Sequence, residues 1–164
     1  MAGHKGLTLA AEKPNGTGLK VLIVRARWNA EIVESLTSAA VARLTSLGVS
    51  SDDVDVHFVS GAFELPFATK ALLAKKRYDV AISIGVLIKG DTMHFEYIAD
   101  ASTQGLMRVG LDTGIPVIFG ILTCLTEEQA LLRSGIGGAD KKTGHNHGED
   151  WGQAAVEMAL LNNH

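Results

Sequence analysis

The sequence predicts an α/β fold in which a four-stranded parallel sheet lies between two layers of helices. Four short apolar runs, rich in β-branched residues, alternate with longer stretches of helical periodicity. The third run, residues 78–88, is almost continuously apolar, which is typical of a strand buried on both faces. Parallel strands need crossovers, and right-handed crossovers place helices on both faces where the strand order reverses. We therefore expect a three-layer α/β/α sandwich of the flavodoxin-like type.

The first half of the chain contains two predicted strands, each followed by a predicted helix. A β-branched run over residues 19–25 predicts the first strand, and a helical pattern covers residues 30–47, where Gly48 ends it. The second strand is predicted over residues 54–60 and the next helix over residues 67–76. These elements form the first two β-α units of the sheet.

The second half continues this alternation after the third strand. Its predicted elements are a helix from residue 93 to about 112, a strand over 116–123, a helix over 126–135, a glycine-rich polar loop over 135–150 and a helix over 151–161. Thr126, followed three residues later by Gln129, is a capping-box pattern. It marks the start of the helix after the fourth strand.

A chain of 164 residues has the length of one domain. We expect residues 19–164 to form that domain. Residues 1–18 mix Gly, Pro, Lys and Asn without periodicity, and we expect a flexible tail or an arm along a neighbouring subunit. Cys124 is the single cysteine, so an intramolecular disulfide is excluded and a reducing compartment fits. We interpret it as a buried small apolar residue.

The composition argues against several classes of protein. The formal net charge is −3 and charged residues make up 20% of the chain, so the clustered basic surface of a nucleic-acid binder is not expected. No apolar run approaches the roughly 18 to 20 residues of a membrane span. The N-terminal segment has no apolar core resembling a signal peptide. We expect a cytoplasmic protein without nucleic-acid or membrane partners.

Ligands of such folds bind beyond the C-terminal ends of the strands, so the turns there hold the candidate site residues. Trp28 follows the first strand, and an indole in this polar turn can stack on a flat heterocycle. Covering the sheet end or an interface is an equally good explanation. Glu64 ends the turn after the second strand. Its carboxylate suits a polyhydroxylated ligand, although stabilisation by the following helix dipole is the simpler interpretation.

The turn after the third strand has the features of an anion site. Gly90, Asp91 and Thr92 lie at a helix start, where free N–H groups and the helix dipole favour phosphate or sulfate. His94 follows, and a histidine side chain can give or take a proton near neutrality. A structural role at the helix start is the alternative. The turn is neither a Walker loop nor GxGxxG, so nucleotide binding is not predicted.

Two further features each have two interpretations. Arg133, near a helix C-terminus, either complements the helix dipole or clamps a phosphate with its guanidinium. His145 and His147 are two residues apart, but no third ligand stands at metal-site spacing, so no metal is predicted.

Six segments in order resemble a known family: ARWN, SGAFELP, GVLIKGDTMHFEYI, QGLMRVGLDTGIPVIFGILT, EEQALLRSG and GHNHGEDWGQAAVEM. The family is 6,7-dimethyl-8-ribityllumazine synthase, the penultimate enzyme of riboflavin biosynthesis, and the resemblance covers about residues 19–161. The segments ARWN and GHNHG resemble its fungal branch. The resemblance implies condensation of 5-amino-6-(ribitylamino)pyrimidinedione with 3,4-dihydroxy-2-butanone 4-phosphate, with release of phosphate and water. It implies no cofactor and no metal.

The resemblance also implies a role for individual residues. Trp28 stacks on the pyrimidine, and His94 is the general acid and base. The ribityl chain and ring bind to the turn of Gly61, Ala62, Phe63 and Glu64, and the pocket is lined by Val86, Leu87 and Ile88. The phosphate binds to Gly90, Asp91 and Thr92. The neighbouring subunit contributes Phe119, Arg133 and His147. Two positions depart from the common pattern. Asp91 stands where a small neutral residue is usual, so a carboxylate faces the phosphate unless it caps its own helix. His147 stands where many bacterial members carry lysine, so its charge depends on pH.

The family resemblance implies an assembly as well. Each site lies between adjacent subunits of a five-membered ring, and some members close twelve rings into a shell by means of a short connection between the last two helices. Residues 136–144, IGGADKKTG, make this connection longer and more charged. We therefore expect a free homopentamer.

Riboflavin is a further expected ligand, and two alternative functions remain open. The first is a flavin or pterin binder that stacks its ligand on Trp28 without turnover. The second is a structural assembly protein in which His94 and Arg133 are dispensable.

Overall fold

The computed structural model describes residues 12–163, and residues 1–11 and 164 lie outside the described part of the chain. Within it the sheet consists of four parallel strands: β1 (Val21–Ala26), β2 (Val54–Val59), β3 (Val80–Ile88) and β4 (Val117–Cys124). Their spatial order is β2-β1-β3-β4. The chain therefore builds one edge first and then crosses β1 to build the other, so the strand order reverses between β1 and β3.

Five α-helices accompany these strands in residues 12–163: α1 (Ala30–Ser46), α2 (Leu65–Leu73), α3 (His94–Thr113), α4 (Glu127–Arg133) and α5 (His147–Asn162). Helices α1, α4 and α5 cover one face of the sheet, and α2 and α3 cover the other. The predicted three-layer sandwich with a four-stranded parallel sheet is confirmed. No helix in this part of the chain combines the length and the apolar character needed to cross a bilayer.

The side chains of β1 divide between two hydrophobic cores. Val21 and Ile23 pack with α1 and α5, whereas Leu22 and Val24 pack with α2 and α3. Every residue of β1 is buried, and so are the first seven residues of β3. Full burial of one such side chain is worth roughly 1.5 to 3 kcal/mol. The two central strands therefore form a stable base for the turns that leave their C-terminal ends.

Helix α5 lies close against α1 because two of its residues have no side chain. A Cβ at Gly148 would lie 2.1 Å from the carbonyl oxygen of Leu36, and one at Gly152 would lie 2.8 Å from that of Ala40. Any other residue would push the two backbones apart. This contact places the N-terminus of α5 beside the middle of α1.

Two helices begin earlier than predicted. Helix α5 starts at His147 rather than at residue 151, because Asn146 Oδ1 accepts a hydrogen bond from the Gly148 N–H over 2.9 Å and caps it. Helix α2 covers Leu65–Leu73 rather than residues 67–76. Pro66 lies in its first turn, where the missing N–H has no helical partner to lose.

The end of the predicted tail falls within the described residues. Gly16 is buried, and its N–H donates to the carbonyl oxygen of Leu47 over 2.7 Å. Asn15 Oδ1 accepts from the Thr17 N–H over 3.0 Å. Residues 15–17 thus contact the end of α1, and the preceding residues 1–11 lie outside the described part of the chain.

Candidate active site

The C-terminal ends of β1, β2 and β3 surround a pocket at the point where the strand order reverses. Its volume is about 480 Å³. Crossovers that leave two neighbouring strands in opposite directions open a crevice at this place in an α/β sheet. The lining residues are Trp28, Asn29, Ser60, Gly61, Ala62, Phe63, Glu64, Val86, Leu87, Ile88, His94 and Ile98.

The turn after β1 presents Trp28 at the mouth of the pocket. Its backbone N–H donates to the carbonyl oxygen of Ser60 over 3.2 Å, and the Arg27 N–H donates to that of Val59 over 2.8 Å. The backbone is therefore fixed to the end of β2, while 71% of the Trp28 side chain is exposed. An indole held this way, outside the protein core, has a free face for a planar ligand.

The turn after β2 forms the second wall. The Gly61 N–H donates to Glu64 Oε2 over 3.0 Å, and residues Ala62–Glu64 form a 3-10 turn that leads into α2. Ser102, buried on α3, donates from Oγ to the carbonyl oxygen of Ala62 over 3.1 Å. A Cβ at Gly61 would lie 3.4 Å from Trp28 Cδ1. This is an ordinary van der Waals distance, so the first two turns lie next to each other.

The end of β3 and the start of α3 form the third wall. Val86, Leu87 and Ile88 line the pocket from the strand, and His94 lines it as the first residue of the helix. The His94 N–H lies 3.4 Å from Thr92 Oγ1. The imidazole thus faces the same pocket as the indole of Trp28.

An ion pair holds the turn between β3 and α3. Lys89 Nζ lies 2.5 Å from Glu96 Oε1 and donates to the carbonyl oxygen of Thr92 over 3.0 Å. The hydrogen bond from Lys89 lowers the pKa of Glu96. Gly90, Asp91 and Thr92 lie beside the pocket without lining it, and all three are exposed. Asp91 does not cap α3, whose N-cap residue is Met93.

Besides Gly90, Asp91 and Thr92, three more predicted site residues lie outside the pocket of the single chain. Phe119 lines a separate apolar cavity of about 570 Å³ between α3, β4 and α5. Arg133 is the last residue of α4 and donates from Nη1 to the carbonyl oxygen of Gln129 over 3.3 Å. His147 is the first residue of α5, and its Nδ1 lies 3.6 Å from Asp150 Oδ2.

Arg133 and His147 nevertheless lie near each other. The next residue after Arg133 and the one before His147, Ser134 and Asn146, form an isolated antiparallel bridge. Burial lowers the pKa of His147. The charges of His145 and Arg133 lower this pKa further, whereas the charge of Asp150 raises it. Arg133 and His147 thus flank the connection between α4 and α5, whose two ends are brought together by this bridge.

Three pocket residues were absent from the sequence predictions: Asn29, Ser60 and Ile98. Asn29 and Ser60 are polar neighbours of Trp28 and Gly61, so their place in the turns at the ends of β1 and β2 was the available signal. Ile98 lies four residues after His94, on the same side of α3. Its apolar character made it resemble an ordinary core residue.

Among residues 12–163, no group of three His, Cys, Asp or Glu side chains is placed to hold a metal ion. His145 Nε2 instead contacts Asp150 Oδ2 over 2.8 Å. Cys124 is buried, as predicted, and burial raises the pKa of its thiol. This thiol is therefore a poor nucleophile at neutral pH.

The chain matches known proteins along nearly its whole length. Residues 18–163 match the family model described as 6,7-dimethyl-8-ribityllumazine synthase. A 6,7-dimethyl-8-ribityllumazine synthase from Schizosaccharomyces pombe is 53% identical over 146 residues, which are 88% of this chain and 89% of the relative. One from Pyricularia oryzae is 41% identical over 185 residues, with 91% and 90% covered. The resemblance found in the sequence is thereby confirmed, and the chain belongs to the 6,7-dimethyl-8-ribityllumazine synthase family.

Proposed function

We propose that the pocket between the ends of β1 and β3 is the active site in which this chain carries out its family's reaction. The chain is a transferase of riboflavin biosynthesis, and it condenses 5-amino-6-(ribitylamino)pyrimidinedione with 3,4-dihydroxy-2-butanone 4-phosphate to 6,7-dimethyl-8-ribityllumazine, phosphate and water. The observation that supports this site best is that His94 shares one pocket with Trp28 and the Gly61 turn. A proton-transfer group, a stacking surface and backbone donors thus converge at one place.

The pyrimidine half of the site lies between the first two turns. The exposed indole of Trp28 stacks on the flat ring, while the turn from Gly61 to Glu64 offers backbone and carboxylate groups to the ribityl hydroxyls. The apolar end of β3, residues 86–88, closes the bottom of the pocket. This half of the site orders the pyrimidine so that its amine points toward α3.

The butanone phosphate occupies the side near α3. Its phosphate binds at the turn of Gly90, Asp91 and Thr92, because the first N–H groups of a helix and the helix dipole both favour an anion. The amine then condenses with the carbonyl with loss of one water, phosphate is eliminated, and the ring closes with loss of a second water. Each step moves a proton, and His94 is the group in the pocket that gives and takes protons near neutrality.

Most of the rate enhancement comes from holding two substrates together. Positioning of this kind lowers a barrier by up to roughly 7 to 11 kcal/mol, whereas general acid-base assistance contributes about 10² to 10⁴ in rate. A single histidine is therefore sufficient, and no cofactor is required.

The site is completed by a neighbouring copy of the chain. Phe119, Arg133 and His147 lie outside the pocket of their own subunit, so we assign them to the pocket of the next subunit in a five-membered ring. Exposed apolar side chains beside Phe119, namely Met107, Leu111 and Met158, offer a face for that contact. A contact between two different faces of the same chain closes into a ring.

The connection between α4 and α5 favours a ring that remains free. Residues 136–144 fold over α1, and Lys141 Nζ lies 2.6 Å from Glu31 Oε1. Bulk and charge at this place hinder contacts between rings. We therefore expect a free pentamer of about 87 kDa from five 17.4 kDa chains, located in the cytoplasm.

The first test mixes both substrates with the protein and follows lumazine absorbance, with sedimentation in parallel. Turnover by a particle of about 87 kDa is expected. A flavin binder or a purely structural protein would produce no lumazine. An active monomer would contradict the composite site. A particle of megadalton mass would contradict the expectation that the connection between α4 and α5 keeps the rings apart, but it would not contradict the activity.

A second test uses two impaired variants, assayed at a butanone phosphate concentration below the KM of Arg133→Ala. In a composite site, His94 and Arg133 of one pocket come from different subunits. We expect His94→Ala and Arg133→Ala, unfolded and refolded together in equal amounts, to regain activity, because roughly a quarter of randomly mixed sites would combine both native residues. The two variants refolded separately and then mixed are the control. Mixed refolding without any gain over this control would show that both residues act within one chain.

A further inference from the structure

The side chain of Asn146 joins three helices. Its Nδ2 donates to the carbonyl oxygen of Ser134 over 2.8 Å and to that of Ser35 over 3.1 Å. Its Oδ1 accepts from the Gly148 N–H over 2.9 Å. Ser134 follows α4, Ser35 lies in α1 and Gly148 lies in the first turn of α5. One amide therefore links the end of α4, the middle of α1 and the start of α5.

Ser35 adds a second link to the same carbonyl group. Its Oγ donates to the carbonyl oxygen of Ser134 over 2.8 Å and lies 3.1 Å from Asn146 Nδ2. Ser134 is fully buried, so both donors satisfy a carbonyl group at a helix end that water does not reach. The peptide unit between Ser134 and Gly135, one residue beyond Arg133, is thus held from two sides.

We propose that Asn146 is a positioning residue for Arg133, fixing the end of α4 so that the guanidinium is aimed at substrate phosphate. This inference rests on the proposed role of Arg133 in the composite site. Within residues 12–163, the side chain of Arg133 has one hydrogen bond, to Gln129 in its own helix, and it is exposed. The direction of the guanidinium therefore depends on where α4 ends, and Asn146 fixes that end against α1.

The backbone near Asn146 is closely packed at two glycines, so the connection has little freedom to adjust when the hydrogen bonds of Asn146 are lost. A Cβ at Gly135 would lie 3.1 Å from Asn146 Cβ, and one at Gly144 would lie 1.9 Å from the carbonyl oxygen of Leu132. Both glycines have positive φ, 71° and 111°. The backbone passes close to the end of α4 on both sides of the amide, so loss of the amide bonds moves Ser134 rather than a distant segment.

The decisive variant is Asn146→Ser. A serine is also a good N-cap, so its hydroxyl retains an acceptor for the start of α5, and it adds no charge near the phosphate. It removes the amide donors to Ser134 and Ser35. We expect the KM for the butanone phosphate to rise about fivefold, with kcat and the KM for the pyrimidine changed by less than about twofold.

Asn163→Ser is the matched control. Asn163 Nδ2 donates to Asp79 Oδ1 over 3.1 Å at the far end of α5, so the same substitution there also removes an amide donor. This variant should leave both KM values unchanged. If Asn146→Ser raises both KM values equally while lowering the melting temperature, its role is structural only and the inference is overturned.

Arg133→Ala separates this inference from the function on which it rests. We expect Arg133→Ala to raise the KM for the butanone phosphate and the double variant with Asn146→Ser to raise it no further, because Asn146 acts through Arg133. If the KM increases of the two single variants multiply in the double variant, the inference alone is overturned. The same holds if Arg133→Ala raises the KM for the butanone phosphate and Asn146→Ser leaves it unchanged. An unchanged KM in Arg133→Ala would overturn the phosphate role of Arg133 and the inference with it.

Discussion

Asn29 Nδ2 donates a hydrogen bond to the carbonyl oxygen of Val86 over 3.0 Å. The bond fastens the turn after β1 to the end of β3, across the point where the strand order reverses. Asn29 has a φ of 56°, in the left-handed region that asparagine tolerates better than most residues. The walls that carry Trp28 and residues 86–88 are therefore held at a fixed separation.

Replacing Asn29 should loosen the pocket. Asn29→Gly keeps the left-handed backbone but loses the bond to Val86, so we expect about 1 kcal/mol lower stability and a higher KM for the pyrimidine. Asn29→Ala should be less stable still, because alanine adds strain at positive φ. Urea unfolding measures both changes. Equal stability of the wild type and both variants would show that the bond contributes nothing.

His94→Ala should reduce kcat by about 10² to 10⁴ while pyrimidine binding stays nearly intact, because the imidazole acts on proton transfer. The measurements are steady-state turnover and direct titration with the pyrimidine. His57→Ala removes an exposed imidazole from β2, outside the pocket, and serves as the control. Turnover of His94→Ala within twofold of the wild type would remove His94 from the mechanism.

Riboflavin or a ribityl-pyrimidine analogue should quench tryptophan fluorescence by stacking on Trp28. The chain has two tryptophans, and Trp151, a residue of α5, is partly buried and packs against the core. We expect Trp28→Phe to lose most of the quenching and Trp151→Phe to retain it. Equal quenching in Trp28→Phe and the wild type would show that the stacking assignment is wrong.

The lowered pKa of His147 makes stability depend on pH. Burial shifts the pKa of the folded protein below the ordinary 6.5, so the unfolded chain binds more protons between these two values. Stability should therefore fall as the pH drops from about 6.5 through the lowered pKa, and it should change no further below that value. The decrease in the free energy of unfolding between about pH 7.5 and 5.5, measured by urea unfolding, should be smaller in His147→Gln than in the wild type. Equal losses in both proteins would contradict this assignment.

The sheet and the position of the pocket could be predicted because both depend on local patterns. The apolar run that became β3 and the helical periodicity after each strand determine a parallel sheet, and strand-end turns then bring Trp28, Gly61 and His94 together. The bond between Asn29 and Val86 could not be predicted in this way. It joins residues 57 positions apart, and no local pattern specifies such a pair.

The start of α5 shows a second limit of the sequence. Asn146 is a good capping residue, yet it stands in a loop rich in glycine and histidine, where helical periodicity is weak. The helix forms there because α1 supports its first turn and Gly148 permits the close contact. The separation of Phe119 and Arg133 from the pocket likewise follows from the three-dimensional path of β4 and α4, which periodicity does not describe.

The outer edge of β2 has no strand beside it within residues 12–163. Val56 and Phe58 are exposed there, and the Arg25 guanidinium lies 4.9 Å from the centre of the Phe58 ring. A row of free backbone groups next to apolar side chains is a template for aggregation. In the proposed pentamer, we therefore expect subunits that lose their neighbours, through dilution or a damaged interface, to precipitate rather than persist in solution. Light scattering during dissociation would detect this, and a lysine in place of Val56 should delay it.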